Sequence, residues 1–414
     1  MEQDELDELD VSLDRELLRE ELKRRSEESF RRANDPAYLD RERHRLRGRI
    51  RTAFIYAALA AALAAAVLLY VCNYTFTTYS VDSTWKQSAL GNTSLYAFSG
   101  GDLLLGSDSV SFQKNGEAQW TTALRTGSFF VVTEGSYFAL YDRNGYQVHI
   151  GDSSGILSTV KVSRKILGAD ISGAGVLAVY TESSDAAYIS YFDRNGNRLS
   201  VEVKTVLDVS GYPMHIAISP DGQKLAVVYY SIANGTGESR LVLYDFQNGR
   251  ASSSYVVFTK EDYEERDALL IDCDFLDDRH LVAAGAREAT FLTYNRPDDQ
   301  HVETVVFDAK VRSVAFTENG FLTVQEKEGG TRCVVYSGTG KVSTEFRIPS
   351  EYTDIVTGPR YILFLNGEKV SLYNTSGRKR YEGALVSAPY SAAAAGSTRF
   401  LINTGTELEI ITYK

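Results

Sequence analysis

MHIAISPDGQKLAVVYYS, residues 214–231, contains two apolar segments joined by a tight turn. Apolar and polar side chains alternate on both sides of the turn, which is typical of strands with one buried face. Ser-Pro-Asp-Gly at 219–222 supplies residues that favour a turn. The stretch therefore predicts an antiparallel hairpin, and the same pattern returns in VRSVAFTENGFLTVQE at 311–326 and YTDIVTGPRYILFLNG at 352–367.

A second unit recurs around these hairpins: an apolar strand that ends near an aromatic residue, followed by a tight polar turn. Asn-Gly and related pairs supply the positive φ that a two-residue hairpin needs. Together the two units repeat as four short strands in roughly thirty to fifty residues, which is the pattern of a β-propeller blade. The copies are VSFQKNG ending at Gly116, FALYDRNG ending at Gly145, ISYFDRNG ending at Gly196, LVLYDFQNG ending at Gly249, FLTYNRPDD at 291–299, CVVYSGTG ending at Gly340 and VSLYNTSG ending at Gly377.

Counting the repeats predicts an all-β protein with an eight-bladed β-propeller; seven blades is the alternative, because residues 122–150 make a short blade. The last blade holds three strands: SAAAAG, RFLINT and LEIITYK. An open sheet edge invites aggregation, so the ring needs a fourth strand there. We expect it within residues 74–84, YTFTTYSVDST.

Residues 53–72, AFIYAALAAALAAAVLLYVC, carry no charge. About 20 apolar residues in a helix cross a hydrocarbon core of ~30 Å, so the stretch predicts a transmembrane helix. Eight arginines and three acidic residues lie within 30–52, and basic residues next to a span stay in the cytoplasm. The predicted organisation is a cytoplasmic tail at 1–52, the span at 53–72, a linker with the ring-closing strand at 73–87, and a propeller outside the cytoplasm at 88–414.

The tail has two interpretations. Leucines at positions 6, 9, 13, 17, 18 and 22 predict a short amphipathic helix within residues 1–28, and Asp35-Pro36 predicts its end. The tail is either a partner-binding helix followed by a basic segment on anionic lipids, or a solvated tail whose arginines only set the topology. The second is the simpler interpretation, because the leucine stripe is too short for a coiled coil.

Charge and cysteine content exclude some classes of function. The chain has a net charge of −11, of which −9 lies outside residues 1–52, so we expect no nucleic-acid partner. Of the three cysteines, Cys72 lies in the predicted span. Cys273 and Cys333 lie in apolar runs and are predicted to be buried free thiols, with a disulfide as the alternative.

The sequence predicts no catalytic residue, no cofactor-binding residue and no metal ligand. His44 lies among arginines, and His149, His215, His280 and His301 are placed in separate blades with structural roles. The DRNG motifs at 142–145 and 193–196 lack the glutamate that closes a calcium loop and are predicted to be hairpin turns.

Two features remain as candidate contact sites. Residues 261–278 contain the acidic runs EDYEERD and DCDFLDD. They are either a carboxylate-lined patch for a cation or a basic partner, or a solvated loop before an inner strand, which is the simpler interpretation. Tyr229, Tyr230 and Tyr263 are either exposed contact residues or part of the sheet packing.

The repeats carry a family resemblance. Ser219-Pro220-Asp221-Gly222 followed by KLAVVYY resembles TolB-like and WD40-like propellers, and LYAFSGGDLLLG at 95–106 with NGEAQW at 115–120 resembles quinoprotein-type repeats. The chain as a whole resembles uncharacterised bacterial single-pass membrane proteins with an extracytoplasmic propeller. It lacks the Gly-His and Trp-Asp pairs of true WD40 repeats and an assignable quinone-binding set.

Three functions are compatible with this organisation. The first is a non-catalytic scaffold or sensor in the bacterial cell envelope, which is held by the membrane and binds other envelope proteins or a cell-surface ligand. The alternative is a hydrolase or lyase acting on a cell-surface polysaccharide or peptide, with carboxylates or histidines converging at the central channel. A redox protein with a quinone or metal is the third. The sequons at Asn73, Asn92, Asn234 and Asn374 matter only in a eukaryotic secretory route.

Overall fold

The computed structural model of the chain describes residues 18–31, 36–86, 94–106, 108–114, 117–124, 129–233, 236–249, 254–261, 269–317 and 320–414. The chain divides into two units, Met1–Tyr74 and Thr75–Lys414, and each is described by itself. Two sequons (Asn92 and Asn234), the leucines before position 18, Asp35 and Tyr263 lie outside the described residues.

The first unit is helical where it is described. Residues 18–31 form one helical stretch, and helix α1 runs from Pro36 to Asn73. Helix α1 therefore contains the predicted span and also continues through the arginine-rich segment before it. Within α1, Arg47–Val67 is long and apolar enough to cross a membrane by length and composition. Its apolar side chains are exposed, for example Phe54 at 72% and Leu63 at 68%.

The second unit is built from thirty-two strands in its described residues, and these form eight four-stranded antiparallel sheets. Seven sheets use four consecutive strands, whereas the eighth joins the last three strands to the first. A four-residue helix, α2, lies at Leu207–Ser210. In chain order the strands are β1 Tyr79–Lys86; β2 Ser94–Phe98, β3 Gly101–Leu105, β4 Ser109–Lys114, β5 Glu117–Ala123; β6 Phe129–Glu134, β7 Tyr137–Asp142, β8 Gln147–Asp152, β9 Gly155–Lys161; β10 Ile166–Ile171, β11 Leu177–Glu182, β12 Ala186–Phe192, β13 Arg198–Val206; β14 Tyr212–Ile218, β15 Lys224–Ala233, β16 Thr236–Asp245, β17 Val256–Lys260; β18 Leu270–Phe275, β19 His280–Gly285, β20 Glu288–Arg296, β21 Asp299–Val306; β22 Lys310–Thr317, β23 Gly320–Lys327, β24 Gly330–Ser337, β25 Val342–Arg347; β26 Asp354–Thr357, β27 Tyr361–Asn366, β28 Lys369–Asn374, β29 Lys379–Ala384; β30 Ser391–Ala394, β31 Arg399–Asn403 and β32 Glu407–Tyr413.

The eight sheets are the blades of a closed propeller, numbered 1 to 8 from β2–β5 to β30–β32 with β1. A hydrophobic cluster fills the space between each pair of neighbouring blades. The ring closes because such a cluster also joins blade 8 to blade 1, through Leu104, Leu401, Leu408 and Ile410. Eight blades are therefore confirmed over seven, and residues 129–150 of the segment that suggested a short blade belong to the complete second blade, β6–β9.

The chain closes the ring with a strand from just after α1. Strand β1 pairs with the last strand, β32, so that Tyr79 lies opposite Tyr413. Before β1, the Phe76 N–H donates to the Arg380 carbonyl at 2.7 Å and the Thr77 N–H donates to the Lys414 carbonyl at 3.1 Å. The sequence placed this strand within 74–84, whereas the structure places it at Tyr79–Lys86.

The propeller has two distinguishable faces. In blades 1–7 the inner strand is the first of the four strands, and in blade 8 it is β30. We call the face at which the inner strands begin the start face, and the face at which they end the end face. The start face also carries the connections between blades; there the Asn144 N–H donates to the Ile166 carbonyl at 2.7 Å. On the end face the Ala174 N–H donates to the Pro220 carbonyl at 3.1 Å. Strand β1 begins at the end face, so the chain enters the ring there.

Turn chemistry explains why the hairpins form where the sequence predicted them. In the turn at 219–222, Gly222 has φ +74°, and a Cβ at this position would lie 2.9 Å from the Val176 side chain. Glycine is needed there both for the backbone and for close packing of two blades. In the DRNG turn at 193–196, the Asp193 carboxylate accepts the Asn195 N–H at 2.9 Å and the Asn197 N–H at 2.8 Å. These contacts belong to a hairpin turn.

Candidate functional site

Titratable side chains converge in the central channel. A cavity of about 260 Å³ is lined by inner strands β6, β10, β14, β18 and β22, which belong to blades 2–6. Its charged lining residues are Glu134, Asp170, His215, Asp272 and Asp274. We call these five residues the acidic channel.

The alternation of strand β18 brings two of these carboxylates into the channel. Successive side chains of a strand point to opposite faces. Cys273 is buried against the blade with 1% of its surface exposed, whereas Asp272 and Asp274 lie on either side of it and line the cavity. The interpretation of DCDF as part of a solvated loop is therefore wrong, because residues 270–275 are the inner strand itself.

Bulges at matching positions shape the start-face half of the channel. The inner strands of blades 3, 4, 5 and 6 each have a register shift close to their first residues. A bulge inserts one extra residue and re-aims the side chains around it. The inserted residues are Leu167, Met214, Ile271 and Arg312.

Asp170 connects two blades through backbone hydrogen bonds. Its Oδ1 accepts the N–H of Ile171 at 2.9 Å, and its Oδ2 accepts the N–H of Ile218 in the next blade at 2.8 Å. Asp274 accepts the N–H of the following Phe275 at 2.8 Å in the same manner. An aspartate near the end of an inner strand thus satisfies backbone donors and also places a carboxyl group in the channel.

The channel walls perturb these carboxyl groups. Desolvation, reinforced by the charge of Asp170, raises the pKa of Asp274 to about 8. Desolvation also raises the pKa of Asp170 to about 6, although its two backbone hydrogen bonds act in the opposite direction. For Glu134 the pKa is raised by desolvation and by the charge of Asp278. Loss of hydration in the narrow channel therefore raises the pKa of these carboxyl groups, and neighbouring negative charges add to the effect.

His215 forms an ion pair with Asp272 across two neighbouring blades. The His215 Nδ1 contacts the Asp272 Oδ1, and each of the two side chains is exposed over about a third or more of its surface. Desolvation alone would lower the pKa of His215, but the hydrogen bond and charge of Asp272 outweigh it and raise the pKa. This pair places a proton donor next to the carboxylates of the channel.

The other histidines do not join this site. His149 contacts the Thr159 hydroxyl at 3.0 Å on the outer half of blade 2, and His280 contacts the Asp277 carboxylate at 2.8 Å in a turn. The prediction that His280 and His301 belong to separate blades is wrong, because strands β19 and β21 both lie in blade 5. Among the residues that the structure describes, no group of three or more His, Cys, Asp or Glu is arranged to hold a metal ion.

The remaining candidate residues have structural positions. Tyr229 is 1% exposed, and its hydroxyl lies 2.9 Å from that of Tyr244, so it belongs to the core between blades 3 and 4. Cys273 and Cys333 are buried free thiols, as predicted. Burial raises the pKa of both thiols, which makes them poor nucleophiles.

Comparison with known proteins identifies a family and a fold. The chain belongs to the family described as "Family of unknown function (DUF5711)", whose model matches residues 72–412. No curated protein sequence matches the chain.

Several solved structures share the fold. BamB from Moraxella catarrhalis is 14% identical, with 81% of this chain and 100% of that chain covered and a TM-score of 0.51. The Dos1 propeller is 9% identical, with 81% and 95% covered and a TM-score of 0.51. Sqt1 from Chaetomium thermophilum is 11% identical, with 81% and 100% covered and a TM-score of 0.55. At these identities the likeness shows the propeller fold alone.

Proposed function

We propose that this member of the DUF5711 family is a non-catalytic scaffold or sensor of the bacterial cell envelope, held in the cytoplasmic membrane by one helix. Its propeller lies outside the cytoplasm and binds another envelope protein or a cell-surface ligand, while its N-terminus is cytoplasmic. One observation carries the proposal: an exposed apolar helix ends at Asn73, and the strand that closes the ring begins at Tyr79.

Helix α1 supports the membrane part of the proposal. Its apolar side chains are exposed over a segment long enough to cross a bilayer. Exposure of so many apolar groups to water is costly, whereas hydrocarbon accommodates them. Eight arginines within 30–52 support a cytoplasmic N-terminus.

The rigid ring supports a binding role. Because hydrophobic clusters join every blade to the next, the loops of each face are held at fixed positions, and binding residues are commonly carried by loops on a rigid scaffold. The channel cavity of about 260 Å³ is smaller than the ~300–1,000 Å³ typical of small-molecule pockets.

Cysteine labelling in intact bacterial cells tests the topology. In a full-length Cys72→Ala background, Val342→Cys places a thiol at a position of the propeller that is 58% exposed, and Ser29→Cys places one in the tail. The native Cys273 and Cys333 are buried and serve as the unlabelled background. A membrane-impermeant maleimide is expected to label Val342→Cys in intact cells and Ser29→Cys only after permeabilisation. Labelling of Ser29→Cys alone, or of neither position before permeabilisation, would contradict the proposal.

A hydrolase or lyase is the second candidate, and the acidic channel favours it. Asp274, with a pKa of about 8, holds a proton at neutral pH and could act as a general acid beside the His215–Asp272 pair. This function would be established if the full chain released reducing ends or amines from cell-wall polymers. Asp274→Asn should then abolish the release, whereas Asp354→Asn, outside the cavity, should not. Equal background rates for all three proteins would remove it.

A further inference from the structure

A second cavity lies at the start face, between blades 6 and 7. Its volume is about 630 Å³, which is within the ~300–1,000 Å³ typical of small-molecule sites. One wall is formed by strands β27–β29 of blade 7, and the other by residues 349–351, which connect blade 6 to blade 7. We call it the blade 6–7 cavity. None of the five residues of the acidic channel lines it.

Strand register arranges the blade 7 wall as two rows of side chains. Directly opposite residues of antiparallel strands share one face of the sheet, and so do residues two apart along a strand. Phe364 belongs to the hydrophobic cluster between blades 6 and 7, so this face is turned toward blade 6. Read from β27 to β29, the rows are Asn366, Lys369 and Ala384, and then Phe364, Ser371 and Glu382.

Hydrogen bonds hold the connecting segment that forms the other wall. The Arg312 guanidinium donates to the Ser350 carbonyl at 2.7 Å. Shortly after it, the Thr353 N–H donates to the Leu365 carbonyl of blade 7 at 2.6 Å. The segment is therefore fixed to both blades, and a preformed cavity lowers the conformational cost of binding a ligand.

The blade 7 wall presents hydrogen-bond donors that the protein does not use. Ser371 is only 6% exposed and lines the cavity, yet no hydrogen bond in the described part of the chain involves its hydroxyl. Buried polar groups normally have partners, so this hydroxyl points to a missing one. The Asn366 amide and the Lys369 ammonium beside it are also without partners among the described residues. A carboxylate accepts hydrogen bonds from all three kinds of donor.

Two opposite charges line the cavity without pairing. Lys369 and Glu351 are exposed, and neither forms an ion pair with any residue that the structure describes. The other carboxylate of the cavity, Glu382, is already paired with Lys379 at 2.7 Å. A simple anion would be repelled by Glu351 and a simple cation by Lys369. A ligand that carries both charges complements both side chains.

We propose that the blade 6–7 cavity binds a zwitterion with an apolar body, which is a free amino acid or a short peptide with free termini. Lys369 pairs with the ligand carboxylate, and Asn366 and Ser371 donate further hydrogen bonds to it. Glu351 pairs with the ligand ammonium, and the apolar body packs on Pro349. The inference rests on the proposed function as a sensor and names its class of ligand.

Calorimetric titration of the full chain in a non-ionic detergent tests the proposal. The probes are leucine, dileucine and trileucine, and the control is N-acetyl-dileucine amide, which has neither terminal charge. We expect saturable binding of at least one probe and none of the control at the same concentrations. The preferred length distinguishes an amino acid from a peptide. Binding of none of the three probes, or equal binding of the control, would overturn the proposal.

Matched variants locate the binding site. Lys369→Met and Glu351→Gln are each expected to weaken binding of the preferred probe about tenfold, because each removes one charge interaction. Ser371→Ala should weaken it several-fold. Glu368→Gln, at an exposed position of the same hairpin outside the cavity, should change it less than about twofold. Melting curves of each variant verify folding.

A half-blocked peptide assigns the two charges separately. N-acetyl-dileucine keeps only the carboxylate, so its binding should be weakened by Lys369→Met and not by Glu351→Gln. Equal effects of Glu351→Gln and Glu368→Gln on dileucine in folded protein would overturn the assignment of the ammonium site.

The titration does not depend on where the propeller lies in the cell. Absence of binding would overturn this site and leave the cell-labelling result unaffected. Failure of the labelling test would overturn the location in the cell envelope, but titration of the purified chain would still report on the blade 6–7 cavity.

Discussion

At the scale of single residues, Asp274 shows how a strand position determines the chemistry of a side chain. Aspartate is disfavoured in strands, so the run DCDFLDD is more typical of a loop. The signal that identifies the strand is the buried cysteine between the two carboxylates, since Asp272 and Asp274 then share one face. The sequence could therefore have placed both in the channel, but it could not show that Glu134, Asp170 and His215 come from three other blades.

The raised pKa of Asp274 predicts how stability depends on pH. A carboxyl group that binds its proton more tightly when folded stabilises the protein most below about pH 4, and this contribution is lost as the pH rises through about 8. The raised pKa of His215 acts in the same direction, because its contribution is lost as the pH rises through the folded value. We therefore expect the melting temperature to fall between pH 5 and pH 8 through these groups.

Asp274→Asn should weaken the dependence of the melting temperature on pH. The Asp274 side chain is exposed to solvent, which weakens the electrostatic effect of its charge. We therefore expect Asp274→Asn to raise the melting temperature by only roughly 2 °C at pH 8 and not to raise it at pH 5. Tryptophan-detected melting of the full chain in detergent measures it. Asp354→Asn, the same substitution on an inner strand outside the cavity, should keep the wild-type dependence. A parallel shift at both pH values would show that the channel charge is not responsible.

At the scale of elements, the hairpins could be predicted, but which two strands of a blade each hairpin joins could not. Turn residues identify a strand pair locally, so the seven copies of the second unit were found from sequence. Six of them end the third strand of a blade, whereas FALYDRNG ends the second strand, β7. The bulges at Met214 and Ile271 were missed for a related reason. A one-residue insertion has no turn signal, and its position is set by packing between blades.

Strand β1 is the element whose removal should affect the ring most directly. The Tyr79 ring packs 6.1 Å from that of Tyr413 and 6.4 Å from that of Tyr381, measured between ring centres. Because Tyr79 is only half-buried, Tyr79→Ala should cost about 1–2 kcal/mol, less than loss of a fully buried ring. Val81→Ala, on the same strand with an exposed side chain, should cost less than about 0.5 kcal/mol. Urea unfolding of both variants measures the difference, and equal costs would contradict a role for this aromatic packing.

At the scale of the whole molecule, closure joins the two ends of the propeller. Blade 8 takes three strands from the C-terminus and β1 from the segment that follows α1. The number of blades was predictable, because the repeats and the incomplete last blade are local signals. The acidic channel was not, since its residues become neighbours only when blades 2–5 pack in order.

Cutting the chain at two different positions tests whether β1 is part of the ring or only a linker. If α1 lies in the membrane as we propose, a specific protease site inserted between Asn73 and Thr75 should release residues 75–414 from membranes as a folded propeller, because β1 stays with its blade. A site inserted within 87–93 separates β1 from blade 1 in sequence, but pairing with β32 and the aromatic contacts of Tyr79 should keep the propeller on the membrane until denaturant is added. Adding Tyr79→Ala to the second cut should lower the denaturant needed. Release after the second cut in native buffer would mean that blade 8 closes the ring with β30–β32 alone, and β1 would then be only a tether.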